Sequence, residues 1–455
     1  MPVTATRWLA EYAWLPEHAE PTPDVLIEVD EGRITAVTPL LGAHGPDAGV
    51  DVYADAVPLP GLTVPGLSNV HSHAFHRALR GRTHGGRGDF WTWRDQMYGV
   101  ADRLDPDTYL ALARAVYAEM ALAGVTCVGE FHYLHHRPDG GAYVDPNEMG
   151  AALVEAAAHA GIRLTLLDTC YLTSTVDGQA LAGPQRRFGD GDASRWAQRA
   201  GAFQPTDAHV RVGAAVHSVR AVPADQLSTV AEWAGERQAP LHVHLSEQPA
   251  ENDECRAVHG RSPTALLAEY GVLGPNTTAV HTTHPTSADL TLLADSRTGV
   301  CLCPTTERDL ADGIGPARLM AEAGIRLSLG SDSHAVIDLF EEARAVELDE
   351  RLRTRRRGHF TPADLLTAAS SAGHAALGWA DAGRIAVGAR ADLVTVRLDS
   401  ARTAGVPPVG TFFAATAADV EQVVVDGRLV VAEGRHLSVD VPAELSAAIE
   451  AVTPS

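Results

Sequence analysis

The stretch PGLSNVHSH (Pro65–His73) is an apolar run that ends in two histidines one residue apart. A short apolar run of this kind predicts a buried β-strand. Because side chains alternate along a strand, His71 and His73 point to the same side and Ser72 points away. Both imidazoles can then reach one metal ion, so this stretch predicts a strand with a candidate metal site at its end.

The same pattern returns along the middle of the chain. Helical runs such as DPDTYLALARAVYAEMALAGV (105–125) alternate with short apolar segments that end in polar residues. These segments are VTCVGEFHY, GIRLTLLDT, VRVGAAVHSVR, APLHVHLSE, TTAVHTTH, TGVCLCPTTE and IRLSLGSDSH. A strand and a helix repeated about eight times predict an α/β fold, the (β/α)8 barrel.

In such a barrel the active site lies at the carboxyl ends of the strands. The residues of reactive type that follow the apolar segments are His71, His73, His217, His244, Glu247, His281 and Asp332. An imidazole pair with a third histidine and one carboxylate suits zinc with a position left open for water. His242 shares a strand face with His244, so spacing leaves both as candidate ligands on that strand.

Composition excludes several classes of function. The formal net charge of −22 argues against a nucleic-acid or anionic-membrane partner. All 36 basic residues are arginine, which excludes any mechanism that needs a lysine, including a carboxylated lysine between two metals. Five cysteines without a CxxC pair fit a reducing compartment, and no segment has the length and apolarity of a signal peptide or membrane span. We therefore expect a cytoplasmic protein without a membrane partner.

Both ends of the chain have strand-like patterns. DVLIEVDEGRITAVTPL near the beginning and VEQVVVDGRLVVAEGRH near the end each contain two alternating apolar runs around a turn signal. GRIAVGARADLVTVRL is also rich in residues that favour strands. These patterns predict β-structure outside the barrel at both ends.

The motifs PGLSNVHSH, HVHLSE, VHTTH, LGSDSH and GRIAVGARADLV together resemble the amidohydrolase superfamily over essentially the whole chain. The resemblance implies a distorted (β/α)8 barrel over residues 63–378 and a small β-sandwich domain built from residues 1–62 and 379–455. It implies a single zinc bound by His71, His73, His244 and Asp332. His244 is preferred to His242 because the superfamily places this ligand three residues before a catalytic glutamate, here Glu247.

The motifs HSHAFHRALRG, GDFWTWRDQMY, EFHYLHH, HSVRAV and TTERDLADGI resemble the formiminoglutamate deiminases of histidine degradation. That resemblance implies hydrolysis of N-formimino-L-glutamate to N-formyl-L-glutamate and ammonia, and it suggests a homodimer. Glu247, His281 and Asp332 would be catalytic: Asp332 would accept a proton from the attacking water, Glu247 would carry a proton to the leaving nitrogen, and His281 would hydrogen-bond the attacking oxygen. The residues that would hold the acidic substrate are His76, Arg94, Tyr133, His217 and Arg220.

The chain departs from this subgroup at three places. His76 stands where glutamine is common, Val216 stands where proline is frequent, and Arg308-Asp309 replaces a frequent Ala-Asn. A carboxylate at Asp309 would disfavour an acidic substrate unless a cation compensates. Two alternatives stay open: a deaminase of the same superfamily that acts on another formimino or guanidino acid or on an aminated aromatic ring, and a non-catalytic metal-binding or scaffold protein that has kept the barrel.

Overall fold

The computed structural model describes residues 6–16, 18–40, 55–83 and 90–453 of the chain. The strands of this part form two eight-stranded sheets. One sheet is made from the middle of the chain, and the other combines strands from both ends.

The middle sheet is parallel throughout, with neighbouring strands in chain order. Its strands are β5 (Leu67–Ser72), β6 (Val125–His132), β7 (Arg163–Cys170), β8 (Val210–Val216), β9 (Leu241–Leu245), β10 (Thr277–His281), β11 (Gly299–Leu302) and β12 (Leu327–Leu329). Most of these strands are buried along their whole length. This explains their nearly continuous apolar sequences, because a parallel sheet is covered on both faces.

The barrel closes between its first and last strands at the residues where the polar side chains begin. Ser72 and Asp332 form a parallel bridge. The Asp332 amide donates to the His71 carbonyl at 2.9 Å, and the His73 amide donates to the Asp332 carbonyl at 3.3 Å. Closure therefore brings the His-x-His motif directly beside Asp332.

Helices follow most barrel strands and cover the outside of the sheet. Helix α2 begins after Asp105, whose side chain accepts the Thr108 amide, with Pro106 in its first turn. The helices are α1 (Phe90–Ala101), α2 (Pro106–Leu122), α3 (Glu148–Ala160), α4 (Ala193–Ala202), α5 (Leu227–Arg237), α6 (Pro249–His259), α7 (Pro263–Glu269), α8 (Ser287–Ser296), α9 (Pro304–Asp309), α10 (Ala317–Glu322), α11 (Leu339–Thr354), α12 (Pro362–Ala369), α13 (Ser371–Ala376), α14 (Thr411–Ala414) and α15 (Val441–Val452).

The second sheet is mixed, with strand order β16-β15-β14-β13-β4-β1-β2-β3. Its strands are β1 (Thr6–Ala13), β2 (Thr22–Asp30), β3 (Arg33–Pro39), β4 (Ala56–Pro65), β13 (Leu393–Val396), β14 (Val420–Val425), β15 (Arg428–Ala432) and β16 (Arg435–His436). The predicted fold, a barrel with a smaller β domain from both chain ends, is confirmed, and the described strands of the smaller domain form one sheet. The exact division at residues 62 and 378 stays a prediction; β4 runs across the first of these positions.

The cysteines and the helix lengths can be compared with the sequence directly. All five cysteines are free and buried. Among the described residues, no helix combines the length and apolar character needed to cross a membrane.

Candidate active site

Four side chains converge at the carboxyl end of the barrel. His71 lies at the end of β5, His73 directly follows it, His244 lies in β9, and Asp332 follows β12. All four are buried, and one ligand atom from each lies within 4.8 Å of the others. The cluster contains the metal ligands that the family resemblance implies, brought together from three strands.

The distances within this cluster are short. The Nε2 atoms of His71 and His244 are 3.0 Å apart. Asp332 Oδ1 lies 3.2 Å from His71 Nε2 and 3.4 Å from His73 Nε2. Burial alone would raise the pKa of Asp332, but its hydrogen bond to His71 and the neighbouring imidazoles hold that pKa well below its ordinary value.

Backbone carbonyls fix the orientation of two of these imidazoles. His73 Nδ1 donates to the Phe131 carbonyl at 3.0 Å, and His244 Nδ1 donates to the His217 carbonyl at 2.9 Å. Burial holds the pKa of both imidazoles well below its ordinary value, so both rings are neutral. With the proton on Nδ1, each Nε2 turns a lone pair toward the other ligands, an arrangement that a bound cation stabilises. The donor set therefore fits a divalent metal ion.

His242, the competing histidine on β9, lies outside this cluster. Its side chain is fully buried, and its Nε2 donates to the Ala376 carbonyl at 3.1 Å. Burial lowers the pKa of His242 to about 3. It is thus a neutral packed histidine, while His244 supplies the β9 contribution to the cluster.

Beside the cluster lies a group of acids around one histidine. His281 Nε2 is 3.8 Å from Glu247 Oε1 and 3.8 Å from Asp332 Oδ2, and its Nδ1 is 3.5 Å from Glu307 Oε1. Burial would lower the pKa of His281, but the surrounding carboxylates raise it well above its ordinary value. Burial raises the pKa of Glu247, and the Asp332 charge adds to this while His281 opposes it. A carboxyl with a raised pKa holds its proton more strongly than an ordinary glutamate, so it can serve as an acid as well as a base beside the metal cluster.

The ends of three barrel strands have a backbone conformation that is unusual outside glycine. Ser246, His281 and Asp332 have φ values of 50°, 67° and 42°. The left-handed region costs energy for such residues and is held only where the surroundings fix it. Here it turns the chain sharply as each strand ends at the cavity.

A cavity opens over this end of the barrel and takes in both the cluster and the acids. It encloses about 640 Å³, including space open to solvent. His73, His244, Asp332, Glu247 and His281 line one side. The other sequence-predicted residues, His76, Arg94, Tyr133, His217 and Arg220, also line this cavity. All of the predicted site residues thus lie at the cavity or in the cluster at its base.

Two guanidinium groups face the cavity. Arg220 Nη1 donates to the Tyr171 hydroxyl at 3.4 Å, and the Arg94 guanidinium lies 5.6 Å from the Tyr98 ring centre. The pKa of His217 is well below its ordinary value, chiefly through burial and then through the charge of Arg220, with smaller contributions that include Arg94. Both cations therefore lie close to that imidazole. Among the described residues, no carboxylate comes within 4.0 Å of the Arg220 guanidinium.

His76 lies deep in the same cavity. Its Nε2 is 3.0 Å from the Tyr133 hydroxyl, and its ring lies 4.5 Å from that of His73. Burial lowers the pKa of His76 to about 3, so the ring is neutral. Position 76 therefore contributes a neutral hydrogen-bonding group beside the metal cluster.

A second departure from the subgroup pattern, Arg308-Asp309, contributes no lining residue to this cavity. Leu310 lines the cavity, but Asp309 is not among the lining residues. Arg308 pairs with Glu341 at 3.0 Å. The carboxylate that the sequence places near the substrate thus belongs to a neighbouring surface of the chain.

Sequence reasoning missed several residues of the site. Glu251 lines the cavity and accepts the Ser246 amide at 3.0 Å, and burial raises its pKa to about 7. Glu307 Oε1 contacts His281 Nδ1, at the edge of the ring opposite the contacts with Glu247 and Asp332. Both residues stand within the quoted motifs or just after them, at the starts of helices that follow barrel strands. The strand-end rule extended by one helical turn includes both positions, but it does not give the direction of their side chains.

Comparison with known proteins gives consistent results. The sequence profile of the amidohydrolase family matches residues 62–430. A protein of Pseudomonas aeruginosa named formimidoylglutamate deiminase is 39% identical over 407 residues, which cover 86% of this chain and 88% of that protein. A crystal structure of an amidohydrolase from Brucella melitensis superposes with a TM-score of 0.88 at 32% identity, covering 98% of this chain and 99% of that one. An adenosine deaminase from Xanthomonas campestris with bound zinc shares the fold at 23% identity and a TM-score of 0.83, covering 98% and 97% of the two chains.

Proposed function

Because the chain belongs to the amidohydrolase family, we propose that it is a zinc-dependent hydrolase that converts N-formimino-L-glutamate and water to N-formyl-L-glutamate and ammonia. The relative from Pseudomonas aeruginosa that carries this activity in its name supports the proposal. The reaction replaces the imino nitrogen of the formimino group by oxygen and releases that nitrogen as ammonia. The site must therefore supply an activated water, a proton for the leaving nitrogen and a means of holding two carboxylates.

His71, His73, His244 and Asp332 would hold the zinc. Three imidazole nitrogens and one carboxylate form a donor set that zinc accepts in catalytic sites. When bound, zinc lowers the pKa of a coordinated water toward neutrality and so supplies a nucleophile at neutral pH.

Glu247 would move the protons of the reaction. Its Oε1 would take a proton from the attacking water and deliver it to the leaving nitrogen. The raised pKa of Glu247 suits this exchange, because a carboxyl that holds its proton more strongly can act as an acid as well as a base. His281 Nε2 would donate to the attacking oxygen. Asp332 Oδ2, which lies 3.8 Å from that nitrogen, would accept the second proton of this oxygen and pass it to the leaving nitrogen, which departs as NH3.

The observation that carries the choice of substrate is the Arg220 guanidinium. It reaches the cavity without a carboxylate partner within 4.0 Å among the described residues. A carboxylate bound there would gain two parallel charge-assisted hydrogen bonds. Arg94 would bind the second carboxylate of N-formimino-L-glutamate, and the family resemblance gives both arginines this role.

Three uncharged groups would complete the substrate site. The Tyr133 hydroxyl can donate to the substrate while it accepts from His76 Nε2. His217 presents a neutral imidazole at the same wall of the cavity. These residues can orient the formimino group without adding charge.

The direct test is release of ammonia from N-formimino-L-glutamate by the zinc-loaded protein, with NMR detection of the formyl proton of the product. We expect turnover that Glu247→Gln reduces to background and that Glu236→Gln, at an exposed glutamate, leaves unchanged. Zinc content should be equal in the three proteins. Zinc-loaded wild type that releases no ammonia from this compound would contradict the proposal.

A second candidate is deamination of an aromatic ring. It is favoured by the rings of Trp93, Tyr133, Tyr171 and Phe188, which line the cavity and could stack on a planar substrate. A ring without carboxylates has no use for the two guanidinium groups. Retention of activity on an aminated ring by Arg220→Met, together with no activity on formimino acids, would establish this alternative.

The location and assembly of the protein are also proposals. Free buried cysteines support a reducing cytoplasm. The homodimer suggested by family resemblance stays a prediction, which sedimentation of the purified protein would test.

A further inference from the structure

His281 lies between three acids, one beside Nδ1 and two beside Nε2. Glu307 Oε1 lies 3.5 Å from Nδ1, while Glu247 Oε1 and Asp332 Oδ2 each lie 3.8 Å from Nε2. The side chain of His281 is only 1% exposed. An imidazole can be rotated by half a turn with little change of shape, so the groups beside its two nitrogens decide which way it faces.

Glu307 itself is fixed by the chain around it. It lies in the first turn of α9, and its Oε1 accepts the Cys303 amide at 2.9 Å. Its side chain is 7% exposed. It is not among the residues that line the cavity, whereas His281 is. A role of Glu307 in the reaction would therefore act through His281.

We propose that Glu307 is a positioning residue that holds the Nδ1–H edge of His281 and so directs Nε2 toward Glu247 and the reacting atoms. The effect on turnover rests on the proposed hydrolytic function; the effect on the ring does not. A carboxylate beside Nδ1 attracts the Nδ1–H edge and so fixes the orientation of the ring, which leaves Nε2 on the side of the cavity. Without it, Nδ1 could turn toward the cavity, and Nε2–H would no longer face the attacking oxygen.

The kinetic test compares Glu307→Gln and Glu307→Ala with wild type. Glutamine keeps an oxygen for the Cys303 amide but lacks the charge that orders the ring. We expect kcat to fall about 10²-fold in Glu307→Gln and further in Glu307→Ala, with KM changed less than about threefold and zinc content unchanged. A split of this kind separates loss of a positioned proton donor from loss of substrate binding.

Glu342→Gln provides the matched control. Glu342 is a fully buried carboxyl that accepts the Thr305 amide at 3.0 Å, so it supports the same first turn of α9. No contact of its side chain with His281 is present among the described residues. We expect kcat near the wild-type value in Glu342→Gln. Equal losses in Glu342→Gln and Glu307→Gln would show that α9 as a whole matters, and would overturn the specific role of Glu307.

A second measurement does not depend on the substrate. In zinc-loaded protein with ¹⁵N-labelled histidine, the His281 Nδ1 resonance, identified by its loss in His281→Asn, should have the shift of a protonated ring nitrogen. Glu307→Gln should move this resonance, and Glu342→Gln should not. An unchanged His281 spectrum in Glu307→Gln would overturn the inference even if wild type proves active. A shifted spectrum in a protein inactive on N-formimino-L-glutamate would uphold it while the proposed substrate fails.

Discussion

The two sides of the cavity are built in different ways. On the metal side, imidazoles and a carboxylate lie 3.0–3.4 Å apart, and backbone carbonyls fix the rings of His73 and His244. On the arginine side, Arg220 donates to the Tyr171 hydroxyl at 3.4 Å, and Arg94 lies over the Tyr98 ring. The first side fits a bound cation, whereas Arg220 on the second side has no carboxylate within 4.0 Å in the part of the chain that the structure describes.

Under the proposed function, the metal side would decide the reaction and the arginine side would decide the substrate. The metal side consists of residues at the ends of barrel strands, whose positions follow from the sheet. The arginine side draws on α1 and on the loop after β8, and these segments can vary without disturbing the barrel. The reaction class should therefore tolerate little change, while the substrate should follow the residues of the arginine side.

The largest expected effect comes from breaking the metal side. His244→Ala removes one of the ligands, and we expect bound zinc to fall well below one per chain and turnover to fall at least about 10³-fold. A chelator should do the same to wild type, with recovery when zinc is restored. Metal analysis beside the ammonia assay measures both quantities.

His242→Ala is the matched control, because it removes a buried histidine from the same strand. Its Nε2 bonds to the Ala376 carbonyl and not to the cluster. We expect its zinc content to equal that of wild type, even where stability falls. Loss of zinc in His242→Ala, with zinc retained in His244→Ala, would show that His242 is the metal ligand on this strand and His244 is not.

The next largest effect concerns the arginine side. Arg220→Met removes the guanidinium but keeps an unbranched side chain, and we expect kcat/KM for N-formimino-L-glutamate to fall about 10²-fold through the loss of charge-assisted hydrogen bonds. Arg220→Lys keeps the charge without the two-point geometry and should lie between wild type and Arg220→Met. Zinc content should stay constant across the series. Equal kcat/KM values in all three proteins would show that Arg220 does not contribute to substrate binding.

The same division explains how much could be predicted from the sequence. The barrel could be predicted from strands and helices that alternate about eight times, and period-two alternation predicts that His71 and His73 share one face. The full set of His71, His73, His244 and Asp332 was implied by the family resemblance. The choice between His242 and His244 did not follow from alternation, since both share a face. It needed the family pattern and, in the structure, the contacts with the His217 and Ala376 carbonyls.

Helix starts were harder to predict than strand ends. Glu251 and Glu307 reach the site from α6 and α9, and the direction of their side chains depends on how sharply the chain turns after Ser246 and Cys303. The left-handed conformation of Ser246 belongs to that turn. No short sequence pattern specifies such a turn in advance. The direction in which these two side chains point is therefore known only once the loops are placed.

A smaller effect is expected at position 76, where the two sides of the cavity meet. His76→Gln keeps a neutral group able to hydrogen-bond the Tyr133 hydroxyl, so we expect kcat/KM to change by no more than about tenfold, the range of one neutral hydrogen bond. His76→Ala should cost more, because it leaves the Tyr133 hydroxyl without this partner. A large change of substrate preference in His76→Gln would place His76 among the residues that decide the substrate.

The smallest expected effect concerns the stability of the segment around His73, which the buried carboxyl of Glu130 supports. Glu130 is fully buried, and it accepts the Ser72 hydroxyl at 2.6 Å and the Ala74 amide at 2.7 Å, on either side of His73. Burial raises its pKa from 4.5 to about 7. Between these values the folded protein keeps a proton that the unfolded chain has lost, so the free energy of unfolding falls as pH rises. The contribution is on the order of 3 kcal/mol, from a shift of roughly two to three pKa units.

Urea unfolding of zinc-loaded wild type and Glu130→Gln should therefore show free energies of unfolding that converge near pH 4.5. Above that pH the variant should become more stable relative to wild type, up to about pH 7. Parallel pH profiles for the two proteins would mean that Glu130 titrates alike in the folded and unfolded states, and that the metal side needs no neutral carboxyl beneath it.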